Sequence, residues 1–166
     1  MFDQSVPVFV HFLKSLSAIL KKAEAHCEAR KIDPAVMLTM RLFPDMFTLT
    51  RQIQIATDAA KGAGARLAGI AVPSFPDTEE TFAEIQARIT KTIDFLNSLK
   101  KEQIEGSETR DVTIKVQGND LTFKGAAYLE TWAKPNFFFH ITTAYAILRS
   151  NGVEIGKGDY LAGGAA

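Results

Sequence analysis

Four long segments of this chain place apolar residues at intervals of three and four, the spacing that puts them on one face of an α-helix. The first carries Phe9, Phe12, Leu13, Leu16, Ile19, Leu20 and Ala23, starts beside Ser5 and Pro7, and is expected to end near Arg30. The second begins after Asp33 and Pro34 and runs through Leu38, Leu42, Met46, Leu49, Ile53 and Ala56 to about Leu67. Pro44 interrupts it, so this helix is expected to kink or restart there, and to end in the stretch holding Gly62, Gly64 and Gly69. The third carries Phe82, Ile85, Ile89, Ile93, Leu96 and Leu99, with Asp77 and Glu80 as a capping-box-like pair before it. Trp132, Phe137, Ile141, Ala144, Tyr145 and Leu148 mark the fourth, which stops at Asn151 and Gly152.

One segment breaks this rhythm. Val112, Ile114 and Val116 alternate with polar residues, Gly118, Asn119 and Asp120 offer turn chemistry, and Leu121 and Phe123 alternate again, which predicts a β-hairpin. Two strands alone are marginal in water, so its apolar side is expected to rest on the helices. The glycine-rich tail from Val153 to Ala166 is expected to fray at its end. Four apolar stripes each need a partner, and antiparallel packing around one core satisfies all of them. The predicted fold is therefore mainly α: an antiparallel four-helix bundle with a small hairpin between its third and fourth helices, in a single domain over residues 1–166.

Composition narrows the function. With 19 basic and 19 acidic side chains, and lysines such as Lys22, Lys31, Lys100, Lys101 and Lys124 scattered among acids, nucleic acid is not an expected partner. The lone Cys27 has no internal disulfide partner and reads as a small core residue. No run of about 18 apolar residues suggests a membrane span, and the segment from Met1 to Leu20 lacks the pattern of an export signal, so a cytoplasmic protein with no membrane partner is expected.

Chemistry concentrates near the fourth helix. Asn136 and His140 lie one helical turn apart, and Asp45 and Gln52, seven apart, are expected to share a face of the second helix opposite them. Against a functional role for His140 stands a packed ring satisfied by Asn136, Asp45 or a backbone carbonyl. His11 and His26 read as structural or solvated. Trp132 and the run Phe137 to Phe139 fit a core better than a ligand pocket. Gly156, Lys157 and Gly158 resemble a phosphate-loop fragment without its strand and helix, and that motif is rejected.

The stretch from Asn136 to Leu161 resembles the C-terminal helix of the DinB/YfiT-like superfamily, where a His-x3-His pair precedes a leucine-arginine step and a glycine. Counted from Leu148, Arg149 and Gly152, His140 falls on the second histidine and Asn136 stands in place of the first. A closer resemblance, over most of the chain, is to an uncharacterised bacterial domain-of-unknown-function branch. It rests on FPDMFTLTRQIQIATDAAKG, on RLAG from Arg66 to Gly69, and on FFFHITTAYAILRSNGV with GKGDYL. Enzymes of the superfamily are similar in holding a divalent metal through three histidines, one on helix two and two on helix four, and some transfer groups to low-molecular-weight thiols. The second helix here has no histidine. The resemblance thus implies a degenerate metal site, with no cofactor as the leading expectation. A pocket between helices two and four, lined by Asn136, His140, Asp45 and Gln52, would bind a small molecule. One alternative is a metal-dependent relative of the thiol transferases, holding zinc, nickel or manganese on His140 and Asp45. The other is a non-catalytic dimerising protein. The resemblance also makes a homodimer the expected assembly.

Overall fold

Ser5 precedes α1 (Val6–Arg30), and Pro7 sits in its first turn, where a missing N–H costs nothing. Lys31, at φ 56°, closes the helix by turning its N–H back to the carbonyl of Cys27. The Ser5 hydroxyl does not cap the helix; it donates to the Met1 and Phe2 carbonyls at 2.9 and 3.1 Å. The computed structural model describes residues 1–164, a mainly helical chain with one two-stranded antiparallel sheet.

The expected second helix is two helices. Asp33 caps α2 (Pro34–Thr39) by accepting from the Ala35 N–H at 3.0 Å, and the backbone turns extended at Met40. Residues 41–48 form a turn closed by a bridge between Arg41 and Thr48, with Pro44 inside it. Thr48 then starts α3 (Leu49–Ala68), its Oγ1 accepting from the Arg51 N–H at 3.3 Å, and Gly69 ends it at φ 71°. Pro44 therefore sits in a turn between two helices rather than at a bend within one. Leu42, which periodicity placed on the buried stripe, is exposed, and Asp45 belongs to no helix.

Residues 70–81 form no helix or strand and lead to α4 (Phe82–Ser98). Its capping box is Thr81 with Glu84, not Asp77 with Glu80, because Thr81 is the residue immediately outside the first turn. Asp77 is used elsewhere, 2.9 Å from Arg88 of α4. A short α5 (Lys101–Ile104) leads to β1 (Asp111–Val116) and β2 (Asn119–Lys124). The hairpin turn is Gln117–Gly118, both at positive φ (50° and 84°), which joins the strands with two residues. Asn119 and Asp120 are paired strand residues opposite Val116 and Lys115, a correction to the predicted turn. Val112 and Ile114 are buried, as a hairpin resting on helices requires.

From Gly125 the chain stays helical through α6 (Gly125–Tyr128), a π-turn (Leu129–Ala133) and α7 (Lys134–Ser150). The tail up to Gly164 is docked. It forms α8 (Lys157–Leu161), the His11 Nε2–H donates to the Leu161 carbonyl at 2.9 Å, and the Gly163 N–H donates to Ser15 Oγ at 2.8 Å. The predicted fraying end, at Ala165 and Ala166, lies outside the described residues.

The long helices α1, α3, α4 and α7 share one core, with α3 packed against both α4 and α7. Gly64 makes the α3–α4 approach close, since a Cβ there would sit 2.8 Å from methyl carbons of Leu96 and Leu99. No helix among the described residues is long and apolar enough to cross a membrane.

Candidate functional site

The buried residues Phe137, Ile141, Ala144 and Leu148 fix the rotation of α7, and Leu49, Ile53, Ala56 and Ala60 fix that of α3. These constraints bring His140 against Gln52, two buried polar residues on facing helices. His140 Nδ1 lies 2.6 Å from Gln52 Oε1. The amide nitrogen of Gln52 donates to the Phe47 carbonyl at 3.3 Å, so its oxygen is the end left for the ring. A carbonyl oxygen only accepts, so Nδ1 carries the proton and donates. Nε2 is then a lone-pair acceptor; it has no hydrogen-bond partner among the described residues and is not sealed from solvent.

Burial pushes the His140 pKa down from its ordinary value, and the positive charge of Arg51 pushes it the same way. The ring is therefore neutral at neutral pH. A neutral imidazole with a bonded Nδ1–H and a free Nε2 can accept a hydrogen bond from a ligand or take up a proton transiently. The exposed Phe139 ring meets the imidazole edge-on at 5.2 Å between centroids.

The four residues singled out in the sequence do not all converge. His140 and Gln52 meet. Asn136, one turn before His140 in α7, is half-buried and lines a cleft with Asp58 and Arg66 of α3. Asp45 is exposed in the 41–48 turn and forms no hydrogen bond or ion pair with another described residue. The ring is thus satisfied by Gln52, and not by Asn136, Asp45 or a backbone carbonyl. Nor do these side chains fit a divalent metal. A catalytic site draws three protein ligands from imidazole, thiolate and carboxylate, whereas His140 meets one neutral amide, Gln52, and among the described residues no group of three His, Cys, Asp or Glu side chains gathers.

Cys27 is fully buried, and its thiol pKa is raised, first by desolvation and then by Glu24 and Asp33, which suits a packed residue rather than a nucleophile. Asn136 and His140 are one turn of a longer row. Tyr128, Trp132, Asn136 and His140 recur every four residues, and the first three line a common cleft. The fourfold spacing was visible in the sequence; the π-turn that carries it through Leu129–Ala133 was not.

Residues 1–161 match the family described as Domain of unknown function (DUF1993). Among solved structures, a DinB family member protein from Shewanella denitrificans is 43% identical with a TM-score of 0.88, covering 96% of this chain and 90% of that one. A comparison with curated proteins found no match.

Proposed function

The chain belongs to the DUF1993 family, a DinB-like domain of unknown function, and from that premise we propose that its four long helices act as a bundle binding a small molecule between α3 and α7. The observation that supports this is the His140–Gln52 pair. A buried imidazole held by one nitrogen with its other nitrogen free is a prepared hydrogen-bond acceptor. The ligand class suggested by the superfamily resemblance is a low-molecular-weight thiol, placed with a donor group on Nε2; small organic acids that carry a hydroxyl or amino donor are the second class to screen. Asn136 lines a neighbouring cleft rather than touching the pair, and Asp45 is outside both.

Thermal-shift measurements with cysteine, glutathione and a set of small organic acids test the reading, because selective binding to the folded state raises apparent stability. At least one compound is expected to stabilise the parent protein and to lose that effect in His140→Ala. A panel without hits, or hits that persist unchanged in His140→Ala, contradicts it.

A second reading, a non-catalytic dimerising protein, draws on exposed apolar side chains. Phe43 is 64% exposed, Phe47 54% and Phe139 57%, and the last two flank the His140–Gln52 pair through the Phe47 carbonyl and the Phe139 ring. Light scattering across a range of concentrations decides it: a strictly monomeric protein removes this reading.

A further inference from the structure

A second polar cleft neighbours the His140–Gln52 pair without including it. It begins one helical turn from that pair, at Ile55 and Asn136, and extends along α3 to Arg66, fourteen residues or about 21 Å of helix beyond Gln52. Here α3, β1 and the helical stretch through the π-turn enclose a cavity of about 250 Å³. That is below the ~300–1,000 Å³ of sites for drug-sized ligands and suits a smaller molecule.

Its polar groups are unevenly matched. Arg66 is half-buried, and its guanidinium has no carboxylate partner among the described residues; Nη1 donates instead to the Tyr128 hydroxyl at 3.1 Å. The Tyr128 oxygen accepts from Arg66, so its own O–H proton remains unspent on the described residues. Burial raises the Tyr128 pKa, against the opposing pull of Arg66, and keeps that proton in place. Asn136 adds an amide, and Lys115 adds a second cation from β1, opposite Asp120 on β2.

One carboxylate also faces the cleft, but its charge is already offset. Asp58 Oδ1 receives Lys61 Nζ at 2.8 Å and Arg88 Nη2 at 3.0 Å. The net imbalance is positive. A half-buried guanidinium without a counter-ion is costly, and a planar carboxylate offers it two parallel acceptors. Trp132, Ile55 and Val116 supply apolar walls beside those donors.

We propose that this cleft binds a small organic acid, its carboxylate on Arg66 and the Tyr128 hydroxyl and its apolar body against Trp132. The site is independent of the ligand reading at His140, and either can fail without the other.

Trp132 is the chain's single tryptophan, so its fluorescence reports directly on the cleft. The probes are benzoate and its uncharged counterpart benzamide. Benzoate is expected to give a saturable change that weakens as salt is raised, and benzamide none. Arg66→Gln should weaken benzoate binding at least tenfold, while His140→Ala should leave it unchanged. No saturable response to benzoate, an equal response to benzamide, or a folded Arg66→Gln protein binding as tightly as the parent overturns the proposal. If Arg66→Gln does not fold, Lys115→Glu decides, because that side chain is exposed on a strand and can change without disturbing the core. Binding weakened severalfold supports the site, and unchanged affinity overturns it.

Discussion

His140 joins the fold to the proposed chemistry because its protonation state is set by where the helices put it. Its folded pKa lies below the ordinary value of about 6.5, so between those two values the unfolded chain holds more protons. The stability owed to the neutral ring is present above about pH 6.5 and is lost as pH falls through that value towards the folded pKa. Urea denaturation at pH 7 and pH 5.5 is expected to show this loss in the parent protein, and a smaller loss in His140→Leu. The partner has its own cost. Gln52→Leu strands the buried Nδ1–H and should destabilise by about 1–3 kcal/mol, whereas the double variant with His140→Leu should lose less than the sum of the two single changes. Denaturation of the three variants measures that coupling. His140 was legible in the sequence through its helical face and its match to a family motif. Its partner was half legible: Gln52 is on the helix, but Asp45 shared its face only if the helix were already formed at residue 45, and α3 begins at Leu49.

Elements followed the periodic signal where local chemistry agreed with it. α1, α4 and α7 lie where apolar spacing places them, and the hairpin lies where the period changes to two. The misreadings are at boundaries. Thr81, rather than Asp77, caps α4, and Gln117–Gly118, rather than Gly118 to Asp120, turns the hairpin. Each depends on a backbone angle or a side-chain bond that competing polar residues nearby could equally have supplied. The end of α3 falls at Gly69, within the glycine stretch expected to hold it, and the helix runs through Gly62 and Gly64 on the way. At Gly64 the reason is tertiary, because α4 approaches too closely for a side chain. Gly64→Leu forces Leu96 and Leu99 apart and should destabilise by about 1–3 kcal/mol despite leucine's better helix propensity. Thermal unfolding of this variant beside the parent provides the check; an unchanged midpoint would mean that α3 and α4 are further apart.

At the scale of the whole molecule, a buried arginine holds a long connection against the core. Arg88 is 4% exposed and reaches the Pro76 carbonyl, Asp77 and Glu79 of the 70–81 segment as well as Asp58 of α3. Sequence periodicity placed Arg88 on a helix but had no means of showing that it faces inward, since its partners are brought to it by the fold. Arg88→Met leaves those carboxylates without a cation. The partners are partly exposed, so the expected loss is about 2 kcal/mol, below the ~3–5 of fully buried pairs. Limited proteolysis should then cut first within residues 70–81. The same long-range packing makes His140 a neutral acceptor, by burying α3 against α7 and turning Gln52 toward the ring. The most direct measurement is the long-range proton–nitrogen spectrum of histidine-labelled protein near pH 7, with His140 assigned from its absence in His140→Ala. The expected spectrum has the proton on Nδ1, an unprotonated Nε2, and a titration midpoint below about 6.5. A proton on Nε2, or a midpoint above that value, would contradict the pairing with Gln52 and the ligand site built on it.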